Sequence, residues 1–259
     1  MVISMDRWVG QVAMVTGASA GIGAAIVKRL VENGLIVAGL ARRKERIEEM
    51  SQTLKAQGVK GRLYGIQCDV SKESDILKAF KWVTEKLGPV HILVNNAGII
   101  QDTTLCNGDT ELWRKIFDVN VMGLCIATRE AVKIMKGNKI NGHIVHINSV
   151  VGHSVPAGLK GLNVYPGSKH AVTALAETLR MELVEENNLI KITSISPGVT
   201  ATEILEAGEM GNTDLKSVFS TSTTILSAED IADGVIYALS TPPHVQIKEL
   251  TIKPISEKF

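Results

Sequence analysis

Tyr165 and Lys169 stand four positions apart in the stretch YPGSK, at the start of a run with helical apolar spacing. Residues at i and i+4 share a helix face, so a phenol and an ammonium would lie side by side. A free phenol has a pKa of about 10 and is a poor acid or base at pH 7. A nearby ammonium favours its charged form. The pair is either a tuned proton donor or an accident of a helix start. The surrounding chain has to decide between them.

The order of elements frames that choice. Short apolar runs at 11–17, 35–41, 62–69, 91–98, 143–149, 190–198 and 245–254 read as buried strands. Between them lie helical patterns at 21–33, 43–57, 71–88, 110–136, 165–187 and 227–240. Ser71 is a candidate N-cap for the third of these, and SAED at 227–230 marks the start of the last. The 110–136 helix changes its apolar face midway. Strand–helix alternation over the whole length predicts an α/β fold: a single doubly wound, Rossmann-type parallel sheet with helices on both faces. We expect one domain over 1–259. In such sheets ligands bind at the carboxyl ends of the strands. Those ends carry Gly17, Asp69, the NNAG run at 95–98, Ser149 and Pro197.

The first strand leads through TGASAGIG (16–23) into the first helix. Glycines here permit a tight turn and close approach of backbone to a pyrophosphate, and a helix N-terminus offers unpaired N–H groups. The residues assigned to the phosphates are Gly17, Ser19, Gly21, Ile22 and Gly23. The second strand ends LARRKER, with Arg42 and Arg43 following Ala41 where an NAD-binding chain would place a carboxylate for the ribose 2′-OH. A guanidinium clamps a 2′-phosphate with paired donors. The expected cofactor is therefore NADP, with Arg42 as the main contact and Arg43 in support. The alternative is that both arginines are solvated helix-start residues.

Bulk properties narrow the class. The chain has 259 residues, 45% of them apolar, and a net charge of +1. That balance gives no electrostatic case for nucleic acid or an anionic membrane. Three cysteines, Cys68, Cys106 and Cys125, without a CxxC pair, suggest neither a disulfide framework nor zinc. No signal-peptide core and no run long enough to span a bilayer is present. The expected setting is cytoplasmic. His143, His146, His153 and His170 cluster in sequence. The first two are three apart on a strand and would face opposite sides, so local bonding or solvation is expected and no metal site.

Seven segments in order give the chain its resemblance to the short-chain dehydrogenase/reductase family over nearly its full length. They are TGASAGIG, CDV at 68–70, NNAG, Asn120, INSVVG at 147–152, YPGSK and PGVTAT at 197–202. The resemblance implies that Asn120, Ser149, Tyr165 and Lys169 are the catalytic four. It implies that Asp69 and Val70 contact the adenine, that Asn95, Ala97 and Gly98 line the cofactor groove, that Pro197, Gly198 and Val199 border the nicotinamide, and that Thr202 contacts the cofactor. In the family the lysine also binds the nicotinamide ribose, and the asparagine anchors a water in a proton relay. The chemistry agrees. Reducing a ketone builds charge on oxygen, which Ser149 can hydrogen-bond and Tyr165 can protonate. Bringing a phenol from about 10 to about 7 needs about 4 kcal/mol of differential stabilisation. Lys169 would supply part of it and the oxidised nicotinamide more.

The chain departs from the family pattern in three places. Ser149 and Tyr165 are farther apart than in many members, so HSVPAGLKGLNV (153–164) reads as a lengthened loop over the site. Asn148 replaces a common serine. The C-terminal strand lacks the glycine-rich end of many tetrameric members and looks more like a subgroup of carbonyl reductases. That subgroup includes the dehydrogenase/reductase member 11 type and insect farnesol dehydrogenase-like enzymes. Residues 203–226 would form a substrate lid with few basic residues, which favours an uncharged terpenoid, steroid or xenobiotic alcohol or carbonyl. Two other readings stay open: a 3-hydroxy acid dehydrogenase of the same family, and a catalytically silent NADP-binding regulator. By family habit the protein is expected to be a homodimer or homotetramer.

Overall fold

The computed structural model describes residues 3–156, 162–204 and 224–257. Seven strands form one sheet: β1 (Val12–Thr16), β2 (Ile36–Ala41), β3 (Arg62–Gln67), β4 (Val90–Asn95), β5 (His143–Ile147), β6 (Lys191–Pro197) and β7 (Glu249–Ile252). Their spatial order is β3-β2-β1-β4-β5-β6-β7, and every pairing is parallel. The strand order reverses between β1 and β4, which opens a crevice above their carboxyl ends.

Central strands are fully buried, as a sheet covered on both faces requires. Every residue of β1, β5 and β6 is buried. Helices α1 (Gly21–Glu32), α2 (Lys44–Ala56) and α7 (Ala228–Ser240) pack on one face through Ile26, Leu30, Ile47, Ile231 and Val235. Helices α3 (Glu73–Lys86), α5 (Leu124–Gly137) and α6 (Tyr165–Glu185) cover the other through Ile76, Phe80, Ala131, Met135 and Leu183. No described helix is long and apolar enough to cross a membrane.

The expected long helix at 110–136 is broken in two. α4 (Thr110–Phe117) passes into a π-helical stretch, Asp118–Gly123, before α5 begins. The wider turn shifts the helical phase, which is the physical source of the change of apolar face. Gly123 makes the turn fit: a Cβ there would meet the Val70 carbonyl at 2.5 Å. Ser71 does not cap α3. Lys72 takes that position without a side-chain bond, and the Ser71 hydroxyl donates to Asp69 Oδ1 at 2.7 Å. Ser227 does cap α7, in a reciprocal box with Asp230. The last strand is shorter than expected, because only Glu249–Ile252 pair with β6. Most of the expected lid at 203–226, and residues 157–161 of the expected loop at 153–164, fall outside the described residues.

Candidate active site

A cleft of about 570 Å³ runs along the strand carboxyl ends. At its phosphate end β1 turns sharply at Gly17, whose φ of +66° suits glycine. A Cβ on Gly17 would meet Ala97 Cα and Asn96 Nδ2 at 2.9 Å, and one on Gly23 would collide with the Gly17 carbonyl. Unlike α7, α1 has no side-chain cap and no acidic residue in its first turn. Its first N–H groups are therefore left to an anion. A glycine-cleared cradle under an uncapped helix fits a pyrophosphate.

Asn96 sews the two switch-point strands together. Its Nδ2 donates to the carbonyls of Thr16 (2.9 Å) and Gly17 (3.2 Å), while Thr16 Oγ1 accepts from the N–H groups of Asn96 and Ala97, both at 3.0 Å. Every residue assigned to the cofactor lines the cleft except Asn95. Asn95 ends β4 facing inward, with Nδ2 on Thr128 Oγ1 at 2.9 Å and His146 Nδ1 at 3.2 Å. Of the two asparagines in the NNAG run, Asn96 is the one that lines the groove. Alternation along a strand hides one of two adjacent side chains, and the sequence did not tell which.

At the adenosine end Arg42, Arg43, Asp69 and Val70 line the cleft. Burial works against the Asp69 carboxylate, but hydrogen bonds from Ser71 and the charges of Arg42 and Lys72 hold its pKa below the usual range. Cys68 is adjacent, and burial, with Asp75 and Asp69 nearby, pushes its thiol up to about 12, an unreactive state.

The reactive end gathers Ser149, Tyr165 and Lys169. Ser149 leaves β5 and starts a short 3-10 turn. Tyr165 opens α6, with Pro166 fixing the first turn. Ser149 hydrogen-bonds the phenol, but burial dominates and pushes Tyr165 up to about 12. Burial also brings Lys169 down to about 8. Lys169 Nζ lies 5.8 Å from the centre of the Tyr165 ring and donates to the Ile147 carbonyl at 3.0 Å. In the protein alone burial therefore outweighs the expected depression of the phenol by Lys169. The phenol is held protonated.

Asn120 is buried in the π-helical stretch and does not line the cleft. Its amide holds the backbone of Ile99 and the hydroxyl of Ser168. Thr202 stands over Gly21, 3.3 Å from where a Cβ would be. Ile100, Val150, Val151 and Leu162 form an apolar cluster against Tyr165 and Ile204.

The histidines are structural. His143 and His146 are both buried in β5, bonded to Thr193 and Asn95 respectively, and burial drives them down to about 3 and about 4. Of the two expected states, local bonding is the one these two adopt, since a central strand is covered on both faces. His153 contacts Ser196 and Glu249, and His170 contacts the Pro166 carbonyl.

Residues 11–230 match the family model described as short chain dehydrogenase. The chain belongs to the short-chain dehydrogenase/reductase family. It is 51% identical over 256 residues to a farnesol dehydrogenase of Aedes aegypti, covering 98% of this chain and 100% of that one. It is 44% identical over 256 residues to dehydrogenase/reductase SDR family member 11 of Bos taurus, covering 98% and 99%. A solved serine dehydrogenase in its closed form with NADP+ superposes with a TM-score of 0.84 at 29% identity, over 96% of this chain and 97% of that one. Solved structures of this likeness carry NADP in some cases and NAD in others. The protein is an oxidoreductase by this membership, with the parallel, doubly wound sheet that such enzymes share.

Three residues with a place in the site were missed in the sequence: Asn96, Glu203 and Glu257. Glu203 lines the cleft and pairs with Arg43 and Arg46. Glu257 accepts from the Val199 N–H at 2.8 Å. Partners so distant in sequence leave no periodic signal.

Proposed function

We propose that the protein is an NADP-dependent alcohol dehydrogenase/carbonyl reductase acting on an uncharged, apolar terpenoid, steroid or xenobiotic substrate. The observation that carries this reading is the convergence of Ser149, Tyr165 and Lys169 beside the apolar wall of Ile100, Val150, Val151 and Leu162. The α1 N-terminus and the Arg42–Arg43 end would hold NADP(H), which when bound would supply or accept the hydride. Ser149 donates to the carbonyl oxygen and fixes it beside the phenol. Tyr165, kept protonated by burial, gives its proton to that oxygen as negative charge develops there. Lys169 places a positive charge beneath the same centre and lowers the cost of the transient phenolate. Running backward, the phenolate takes the alcohol proton.

The guanidinium groups that line the cleft are Arg42 and Arg43, at its adenosine end, and the Lys169 ammonium is turned to the Ile147 carbonyl. Among the described residues, a substrate carboxylate finds no guanidinium at the reactive end, which favours a neutral carbonyl over a 3-oxo acid. We place the protein in the cytoplasm on its three unpaired cysteines. We infer a homodimer or homotetramer from the exposed Phe117, Met122, Met181 and Val184, which lie on the helices through which the family associates. Light scattering that gave a monomer mass would remove that inference.

The experiment is oxidation of NADPH and of NADH, followed at 340 nm, against a sesquiterpene aldehyde, 3- and 17-ketosteroids, an α-dicarbonyl and a short 3-oxo acid. Turnover with NADPH on an apolar carbonyl, lost in Tyr165→Phe, is the expected result. Full activity in Tyr165→Phe would overturn the mechanism, and equal kcat/KM for the two cofactors would overturn the choice of NADP.

A further inference from the structure

The guanidinium groups at the adenosine end already hold an anion, and it comes from the chain itself. Glu203 Oε2 lies 3.2 Å from Arg43 Nη2, and both carboxylate oxygens lie 3.1 Å from Arg46 Nη1. Burial raises the Glu203 carboxyl, but the two arginines outweigh it and hold the group ionised below the usual carboxylate range. Arg43 lines the cleft just before α2, and Arg46 stands three residues on, in the first turn of the helix and outside the lining. Glu203 reaches them from the far side. Thr202 packs over Gly21 of the phosphate loop, and the next residue crosses to α2. The Arg43–Glu203 pair therefore lies across the cleft where an adenosine ribose would meet Arg42 and Arg43, with Arg46 backing it from α2.

Resting on the NADP reading above, we propose that Glu203 is a specificity-setting residue. It occupies Arg43 and Arg46 in competition with the ribose 2′-phosphate, and Arg46 is a third member of the phosphate clamp. The pairs are half-exposed, at 45–51% on each side, so water and salt weaken them. A phosphate carries up to two charges and three acceptor oxygens and displaces a single carboxylate from such a pair. The displaced carboxylate then faces the phosphate and opposes it. A ligand with a bare 2′-OH makes no claim on these arginines and leaves the bridge in place. Glu203 thus weakens the binding of 2′-phosphorylated ligands selectively, and makes the preference for NADP smaller than the arginines alone would give.

Calorimetric titration with 2′,5′-ADP and with 5′-AMP tests this without turnover. The proteins are wild type, Glu203→Gln, Arg46→Gln and the double variant. Glu203→Gln is expected to bind 2′,5′-ADP about threefold more tightly, the scale of an exposed ion pair, with 5′-AMP unchanged. Arg46→Gln is expected to bind 2′,5′-ADP more weakly and to shrink the gain from Glu203→Gln in the double variant. If Glu203→Gln binds 2′,5′-ADP no more tightly than wild type, or tightens both ligands alike, the role of Glu203 is overturned while the NADP reading stands. If wild type binds the two ligands equally, the NADP reading falls and this inference with it.

Discussion

Asn120 pairs with Ile99 as a neighbouring strand would: Oδ1 accepts from the Ile99 N–H at 2.8 Å and Nδ2 donates to the Ile99 carbonyl at 3.0 Å. Nδ2 also donates to Ser168 Oγ at 3.0 Å, and Ser168 Oγ donates to the Tyr165 carbonyl at 2.7 Å. The first turn of α6, which carries the phenol, is thereby tied to the segment after β4. Asn120→Leu would keep the branched shape and remove the three bonds that the amide makes. It is expected to cost about 1–3 kcal/mol in urea unfolding, because the Ile99 groups are left without partners. It should also lower kcat/KM. Unchanged stability with unchanged turnover would show that the amide positions nothing.

Gly23 tests the phosphate cradle. A Cβ there runs into the Gly17 carbonyl and Asn96 Nδ2, one of them backbone. Gly23→Ala is expected to cost about 1–3 kcal/mol through overpacking and to weaken NADPH binding by fluorescence titration. Gly137→Ala, at the end of α5 with nothing within 4 Å, is the matched control and should be neutral or slightly stabilising. Equal behaviour of the two variants would refute the steric argument.

The fold's effect on Lys169 has a sign that can be measured. Its pKa falls from 10.5 in the unfolded chain to about 8 in the fold, because burial penalises the ammonium. Between those values the unfolded chain holds the extra proton, so stability rises with pH across that window. The contribution is fully present above 10.5 and is lost as pH falls through 8. Tyr165, raised from 10.0 to about 12, acts only above pH 10 and in the opposite sense. Wild type should therefore gain on Lys169→Met between pH 7.5 and 9.5. Lys191, also brought down to about 8, is common to both proteins and cancels. A constant gap across that range would mean that Lys169 is not buried as a strained cation.

Arg42 carries the cofactor choice. Arg42→Ser is expected to lower kcat/KM for NADPH by about ten- to a hundredfold, the worth of a charge-assisted hydrogen bond, and to leave NADH nearly unchanged. Parallel losses with both cofactors would instead assign Arg42 to the adenine or to the fold.

The sheet was legible from the sequence because each strand is a buried apolar run followed by punctuation, and because Gly17, Ser149 and Pro197 sit where the runs stop. The site motifs were legible because each is contiguous in sequence: YPGSK opens α6, and TGASAGIG joins β1 to α1. What escaped depended on three-dimensional phase or distant partners. The inward turn of Asn95 depends on which way a strand face points. The π-helical stretch is a local change of pitch that composition does not mark. Glu203 and Arg43 are brought together across 160 positions, and no spacing rule links them.

Glu257 and Gly198 offer the sharpest test of such a distant pairing. The Glu257 carboxylate fills the space where a Gly198 side chain would begin. It accepts from the Val199 N–H at 2.8 Å, is 2% exposed, and lies 3.6 Å from Lys253 Nζ. The neighbouring Ser256 Oγ meets Thr224 Oγ1 at 2.5 Å. The C-terminal segment thus grips both the loop that leaves β6 and the chain that returns to α7. Glu257→Ala should cost about 1–3 kcal/mol by leaving the Val199 N–H unpaired, and Gly198→Ala should cost as much by collision. The double variant should cost less than the sum, by about 0.5–3 kcal/mol, because the carboxylate that opposes the new methyl group is gone. Strict additivity in urea unfolding would show that the two residues do not meet.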